Sequence, residues 1–142
     1  MQLRTEIEID APPDRIWEVL TDLAAYPEWN PFVVSASGQL APGERLRITL
    51  GFGDGRESRV QPTVLKVEPP TELRWRARFF IKGLFDGEHF FRLIPIDAER
   101  TRFVHGEDFS GILVQTMGRR LTETARGCVG MNKALKRRVE GA

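Results

Sequence analysis

The feature that most constrains the fold is a change of hydrophobic period near Gly111. Before this glycine, apolar residues mostly alternate with polar ones, which is typical of half-buried β-strands. After it, apolar residues recur every three or four positions, namely Val114, Met117, Leu121, Ala125, Cys128, Met131, Leu135 and Val139. This spacing predicts one long amphipathic helix from about Ile112 to Val139.

The part of the chain before Gly111 predicts one strand, a short helical region and about six further strands. The first strand ends near Ile9, and a helix opens at Pro12-Pro13-Asp14, because proline is tolerated in a first turn and aspartate suits the positive end of the helix dipole. Alternation and turn residues then predict strands over 32–37, 45–50, 58–68, 72–79, 85–94 and 101–109.

This order of elements predicts an α+β domain with the helix-grip fold. A large antiparallel sheet with one apolar face must have that face covered, and the C-terminal helix is the element long enough to do so. We therefore expect a curved seven-stranded antiparallel sheet around the long C-terminal helix. Because a curved sheet cannot touch a straight helix everywhere, an apolar cavity is expected between them. The 142 residues suit a single ligand-binding domain over 1–142.

Charge and composition exclude several classes of protein. The chain has 21 basic and 20 acidic residues, and a net charge of +1 offers no broad attraction to nucleic acid or anionic membrane. No apolar run approaches the roughly 20 residues of a membrane span. With one cysteine, no signal-peptide pattern and no cofactor motif, we expect a cytoplasmic monomer or homodimer that binds no nucleic acid, inserts into no membrane and needs no cofactor.

Five segments resemble the START-like (SRPBCC) superfamily, and within it the bacterial proteins of the polyketide cyclase/dehydrase type. In sequence order they are Ala11-Pro12-Pro13-Asp14-Arg15-Ile16-Trp17, Trp29-Asn30-Pro31-Phe32, Glu68-Pro69-Pro70-Thr71-Glu72-Leu73-Arg74-Trp75, His105-Gly106-Glu107-Asp108-Phe109-Ser110-Gly111 and Met131-Asn132-Lys133-Ala134-Leu135-Lys136. The resemblance covers essentially the whole chain. It implies a helix-grip fold and a hydrophobic cavity, but no catalytic motif.

Strand pairing predicts where the titratable residues meet. If Leu93 pairs with Phe103 across the last hairpin, then His89 lies opposite Glu107, and His105 falls on the same face of the sheet. That face carries the aromatic residues, so it is expected to be the concave, buried one.

Glu107, His89 and His105 are therefore the candidate catalytic residues. A buried carboxylate near imidazoles can act in general acid–base chemistry or orient a ligand. The alternative is that Glu107 and His89 satisfy each other and only hold two strands together. Two histidines and one glutamate could also bind a metal, but no closely spaced ligand motif supports this, and no metal site is predicted.

Aromatic and soft side chains on the sheet and the long helix are predicted to line the pocket, although plain core packing is the alternative for each. A pairing of Phe79 with Phe85 would also place Trp75 beside His89. The predicted ligand-binding set is Trp29, Trp75, Phe79, Phe85, His89, Phe91, His105, Glu107, Phe109, Met117, Leu121, Cys128 and Met131.

Three functions remain open from the sequence. The first is binding of a small hydrophobic or amphipathic molecule such as a lipid, a polyketide or a quinone. The second is an enzyme of the polyketide cyclase/dehydratase type, and the third is a protein-interaction module of the Hsp90-activator type. An open pocket of about 300–1,000 Å³ would favour ligand binding. A pocket filled by side chains would favour the interaction module.

Overall fold

The computed structural model describes residues 1–79, 83 and 85–141. An α-helix and a 3-10 helix, Leu23–Glu28, lie between the first and second strands. A second 3-10 helix, Val114–Thr116, precedes the long C-terminal helix. The strands and helices are β1 (Gln2–Ile9), α1 (Pro13–Thr21), β2 (Val33–Ser37), β3 (Arg47–Gly51), β4 (Glu57–Val60), β5 (Thr63–Glu68), β6 (Glu72–Phe79), β7 (Phe85–Asp97), β8 (Arg100–Ser110) and α2 (Gly118–Glu140).

The strands form two antiparallel sheets that meet at a corner. The larger sheet has the order β1-β8-β7-β6-β5 and the smaller one the order β2-β3-β4. The backbone N–H of Leu46 donates to the carbonyl of Pro62 at 2.9 Å, and Arg45 bridges to Thr63, so the start of β3 joins the start of β5. Helix α2 packs against β1 and β8 on the concave side, which confirms the α+β helix-grip architecture.

The predicted number of strands was wrong by one. The segment predicted as one strand over 58–68 is two strands, because Gln61 and Pro62 interrupt it. Proline has no backbone N–H and cannot continue a hydrogen-bonded ladder. The break sends β4 into the smaller sheet and β5 into the larger one. The described residues therefore form eight strands in two sheets rather than seven in one.

The long helix also begins later than predicted, at Gly118 rather than near Ile112. The Ile112 side chain is exposed, and the next residues form the tight 3-10 turn. In this turn the Thr116 hydroxyl donates to the carbonyl of Leu113 at 2.8 Å, while the N–H of Met117 donates to that of Val114. These local bonds replace the first turns of the predicted α-helix.

The buried apolar residues fall into two clusters. The main core lies beneath the C-terminal half of α2, where Met131 and Leu135 are fully buried. A smaller cluster of Phe85, Phe109 and Leu121 lies beneath the N-terminal half. Among the described helices, none combines the length and the hydropathy needed to cross a bilayer.

Candidate functional site

The predicted register of the last hairpin is confirmed. Leu93 pairs with Phe103, and His89 pairs with Glu107 across β7 and β8. His89, Glu107 and His105 are all buried on the concave face. The His89 Nδ1 atom lies 3.1 Å from Oε1 of Glu107.

The two histidines belong to a longer chain of hydrogen bonds that ends on the backbone. His89 Nε2 lies 2.5 Å from His105 Nε2, and His105 Nδ1 lies 2.8 Å from Oδ1 of Asn132. The Asn132 amide then donates to the Thr5 hydroxyl at 2.8 Å, and this hydroxyl donates to the carbonyl of His105 at 2.7 Å. Asn132 lies on α2 and Thr5 on β1, so the chain ties the helix to the sheet.

The backbone carbonyl at the end of this chain fixes the direction of every bond before it. A carbonyl only accepts, so the single hydroxyl proton of Thr5 points to it, and Asn132 must face Thr5 with its NH₂ group. The Asn132 oxygen therefore accepts a proton from His105 Nδ1.

The same argument continues through the two imidazoles. A neutral His105 that is protonated on Nδ1 has a bare Nε2, so His89 must donate from its own Nε2. One proton then remains to be shared between His89 Nδ1 and the Glu107 carboxylate. This shared proton lies at the end of the chain that faces the cavity.

The surroundings of His105 keep it neutral. Burial lowers its pKa well below the usual range, and the neighbouring His89 lowers the pKa further. Hydrogen bonds to Asn132 and to the Cys128 backbone act in the opposite direction but do not prevail. The ring of Phe91 stacks on the imidazole with centroids 4.6 Å apart.

The Glu107 carboxylate is held between a glycine and an arginine. Gly87 lies beneath it, and a Cβ atom at this position would overlap Oε2 of Glu107, so a larger residue would force the carboxylate to shift. Arg120 extends from α2 towards the same carboxylate. Burial lowers the pKa of Arg120, while the negative charges of Glu107 and Glu123 raise it.

A narrow cavity opens beside this carboxylate, between the two sheets and α2. Its volume is about 30 Å³, which is room for about two water molecules. Trp75 stacks on His89 at the cavity wall, with ring centroids 5.7 Å apart. The lining is mostly apolar and consists of Phe32, Val33, Ile48, Leu50, Val60, Trp75, Ala77, Gly87, His89, Glu107, Arg120 and Thr124.

Three of the predicted ligand-binding residues, Trp75, His89 and Glu107, line this cavity. The Phe79 side chain falls outside the part of the chain that the structure describes. The other predicted residues lie elsewhere: Phe91, His105, Cys128 and Met131 are buried behind the cavity wall, Phe85, Phe109, Leu121 and Met117 form or flank the smaller cluster, and Trp29 packs edge-on against Tyr26.

Sequence reasoning missed most of the cavity wall that the smaller sheet supplies. The alternation that contains Ile48 and Leu50 predicts a strand, but nothing local indicates that this strand faces the histidines. The helix residues Arg120 and Thr124 were also missed, although their four-residue spacing places them on one face. Asn132 was not among the predicted site residues, but it is buried and bonded to His105.

The described residues offer one cluster of metal-ligand type. The ligand atoms of His89, His105 and Cys128 all lie within 4.8 Å of one another. Each imidazole nitrogen in this cluster already has a hydrogen-bond partner. Burial also raises the pKa of the Cys128 thiol, which disfavours the thiolate that a metal would need. Hydrogen bonding therefore accounts for the cluster without a metal.

Phe32 separates the cavity from a larger groove of about 660 Å³ on the outer side of α2. Its ring packs directly against Gly127, where a Cβ atom would overlap it. Across the groove, Arg56 near the tip of the β3–β4 hairpin forms an ion pair with Glu123 of α2 at 2.7 Å. Phe32 thus forms the inner wall of the groove and the outer wall of the cavity.

Comparison with known proteins finds one matching family. A family model described as polyketide cyclase / dehydrase and lipid transport matches residues 1–140. No match was found among curated protein sequences.

Several solved structures share the fold at low sequence identity. The Zhui aromatase/cyclase from Streptomyces sp. R1128 is 19% identical, with a TM-score of 0.77 over 99% of this chain and 93% of that one. A START superfamily protein from Mycobacterium smegmatis is 19% identical, with a TM-score of 0.78 over 99% and 97% of the two chains. Norcoclaurine synthase from Thalictrum flavum is 14% identical, with a TM-score of 0.77 over 99% and 94%.

Proposed function

The chain belongs to the polyketide cyclase / dehydrase and lipid transport family, and from this premise we propose that it binds a small hydrophobic or amphipathic molecule between its sheets and α2. One observation carries the proposal: an apolar cavity ends on the buried His89–Glu107 pair. Apolar walls with a few fixed polar groups are the usual composition of a small-molecule site, in which the polar groups orient the ligand.

The cavity must widen before it can hold such a ligand, because its volume of about 30 Å³ is far below that of a drug-sized site. Movement of the Phe32 side chain would widen the cavity most. Among the described residues, Phe32 alone lines both the cavity and the 660 Å³ groove, so its ring separates the two. We infer that a ligand widens the cavity by displacing the Phe32 ring and lies beside His89 and Glu107.

A cavity-filling substitution tests this placement. Ala77 lines the cavity, and Ala77→Phe should fill it, whereas Ala36→Phe alters a half-buried strand alanine outside the cavity. With 1-aminoanthracene as a neutral aromatic probe, we expect saturable fluorescence enhancement by the wild type and by Ala36→Phe. Ala77→Phe should weaken binding by about tenfold or more. The proposal would be wrong if a folded Ala77→Phe variant bound the probe with wild-type affinity, or if the wild type did not bind the probe.

An enzyme of the cyclase or dehydratase type is the second candidate, and the proton shared by His89 and Glu107 favours it. A carboxylate–imidazole pair beside an apolar cavity can remove a proton from carbon and return it to a leaving hydroxyl group. Two structural neighbours, an aromatase/cyclase and a synthase, are enzymes by name. Native mass spectrometry of the purified protein, followed by incubation of any retained ligand, separates the two candidates: turnover that is lost in Glu107→Gln indicates the enzyme.

The narrow cavity, which side chains nearly fill, is the one observation that favours the third candidate, a protein-interaction module. Such a module would need a continuous exposed apolar surface. Among the described residues the exposed large apolar side chains are spread over the molecule: Met1, Ile94, Ile96, Ile112 and Val129. Single exposed apolar residues are normal on protein surfaces, so this distribution does not support a docking face.

A double-mutant cycle distinguishes a structural from a functional role for the polar pair. His89→Phe and Glu107→Leu each leave a buried polar partner without its hydrogen bond, which costs about 1–3 kcal/mol. The double variant should therefore be more stable than the sum of the two single changes predicts, as measured by urea unfolding. If the residues couple but probe affinity is unchanged in both single variants, the pair is structural only.

A further inference from the structure

A second groove adjoins the cavity at the gap between the two sheets. The pairing of β5 with β6 begins at Thr63 and Arg76. Ala77 and Arg78 of β6 therefore lie past the end of β5 and have no partner residue in it. Among the described residues, strand β4 pairs with β3 alone, and its other edge faces this gap. The gap exists because Pro62 sends β4 and β5 into different sheets. It contains a groove of about 480 Å³.

This groove adjoins the cavity, and three side chains lie between the two. Val60, Ala77 and Arg120 line both the cavity and the groove. Arg120 therefore lies between the Glu107 carboxylate on the inside and the groove on the outside, and Met117 adds an apolar wall near it.

The charge of the groove has one sign. Four arginines line it, Arg45, Arg59, Arg78 and Arg120, and none of its described lining residues is acidic. The remaining lining is Ser58, Val60, Gln61, Ala77 and Met117. Converging cations with low-dielectric walls focus a positive potential into a cleft, which attracts anions.

The groove outside Phe32 provides the contrast. It too is lined by arginines, but Asp54 and Glu123 lie among them. Arg56 pairs with Asp54 and with Glu123 at 2.7 Å each, and Arg119 pairs with Glu123 at 3.3 Å. In the gap between the sheets, by comparison, no ion pair between described residues involves Arg45, Arg59 or Arg78.

We propose that the ligand is an anionic amphiphile whose carboxylate or phosphate group is bound by Arg45, Arg59, Arg78 and Arg120 at this gap, while its apolar body extends past Val60 and Ala77 into the cavity. Guanidinium groups bind both anions through charge-assisted hydrogen bonds. The inference rests on the proposed function and adds the charge class of the ligand and the end of the cavity at which its head group lies.

Calorimetric titration with decanoate, decyl phosphate and decanol, each below its micelle concentration, tests the charge class. The two anions should bind the wild type about tenfold or more tightly than decanol, because charge-assisted hydrogen bonds add to the same apolar contact. This preference should decrease with added sodium chloride, since salt screens exposed charges. Inorganic phosphate is the fourth ligand, and it should bind far more weakly than decyl phosphate.

Paired variants place the head group. The double variant Arg59→Gln/Arg78→Gln should remove most of the preference for anions and leave the affinity for decanol unchanged. Arg102→Gln, which alters an exposed arginine on β8 outside the groove, should retain the preference. Three results would each overturn the inference: equal affinity for decanoate and decanol, an unchanged preference in the double variant, or inorganic phosphate binding as tight as that of decyl phosphate. In each case, decanol binding would still support the cavity. Binding of none of the decyl ligands would overturn both proposals.

Discussion

The two halves of helix α2 differ in what they contact. From Cys128 to the C-terminal end of the helix six residues are buried, namely Cys128, Met131, Asn132, Ala134, Leu135 and Val139. Between Gly118 and Gly127 only Leu121 and Thr124 are buried among the described residues. The C-terminal part packs on the main core, and the N-terminal part spans the smaller cluster, the cavity and the two arginine-containing grooves.

This difference separates stability from binding along one helix. The apolar contacts of the C-terminal half fix the helix against β1 and α1. The N-terminal half contributes Arg120 and Thr124 to the cavity and keeps few apolar contacts of its own. An element with few buried apolar contacts opens at lower free energy, which is what a site that must widen for its ligand requires.

Matched truncations of two leucines give the largest expected effect. Leu135 is fully buried in the main core, whereas Leu121 retains 9% exposure in the smaller cluster. We expect Leu135→Ala to lower the free energy of unfolding by about 3–5 kcal/mol and Leu121→Ala by about 2 kcal/mol or less, because a partly open site leaves a smaller cavity. Urea unfolding of both variants measures the difference. Equal losses would show that the two halves are packed alike.

Two glycines of α2 give a second comparison at the boundary between the halves. An alanine at Gly127 would overlap the Phe32 ring, and overpacking typically costs about 1–3 kcal/mol. At Gly130 the nearest atom to an added Cβ is Pro31 Cγ at 3.8 Å, so Gly130→Ala should stabilise the helix by up to about 1 kcal/mol.

Thermal and urea unfolding of Gly127→Ala and Gly130→Ala therefore should show opposite signs. If Gly127→Ala is stabilising as well, Phe32 moves aside at little cost. The close contact between Phe32 and the helix would then not be what keeps the cavity narrow.

The pH dependence of stability gives a third comparison. The pKa of His105 is lowered in the folded state, so the unfolded chain, with a histidine pKa of about 6.5, takes up a proton that the folded protein refuses. Stability is unaffected by this group above about pH 6.5 and falls by up to about 1.4 kcal/mol per pH unit below it. His105→Phe keeps a ring against Phe91 and removes the titration.

Urea unfolding of the wild type and of His105→Phe between pH 7.5 and 5.0 isolates this contribution. The wild type should show the steeper loss of stability on acidification. Parallel curves would mean that His105 accepts a proton within the folded protein, and the argument for one proton shared at His89 and Glu107 would fail with it.

Local sequence patterns determined most of the strands and the existence of the long helix. Alternation at Leu3, Thr5, Ile7 and Ile9 predicted β1 because side chains of a strand point to opposite faces in turn. The same parity placed His89 and Glu107 on one face, and the assumed pairing of Leu93 with Phe103 placed them opposite each other. Proline was the exception, because Pro62 was not recognised as an interruption of the strand predicted over 58–68.

What only the tertiary structure decided is how the two sheets and the helix converge. The cavity wall combines Phe32, Ile48 and Val60 of one sheet region with Trp75 and His89 of the other. Asn132, which links His105 to Thr5 in the hydrogen-bond chain, reaches His105 from the long helix. Periodicity reports which face of an element is buried, but contacts between elements depend on sheet curvature, on where a strand breaks and on side-chain packing. The sequence therefore predicted the residues that share a face, and the packing of the folded chain selected the few that meet at the site.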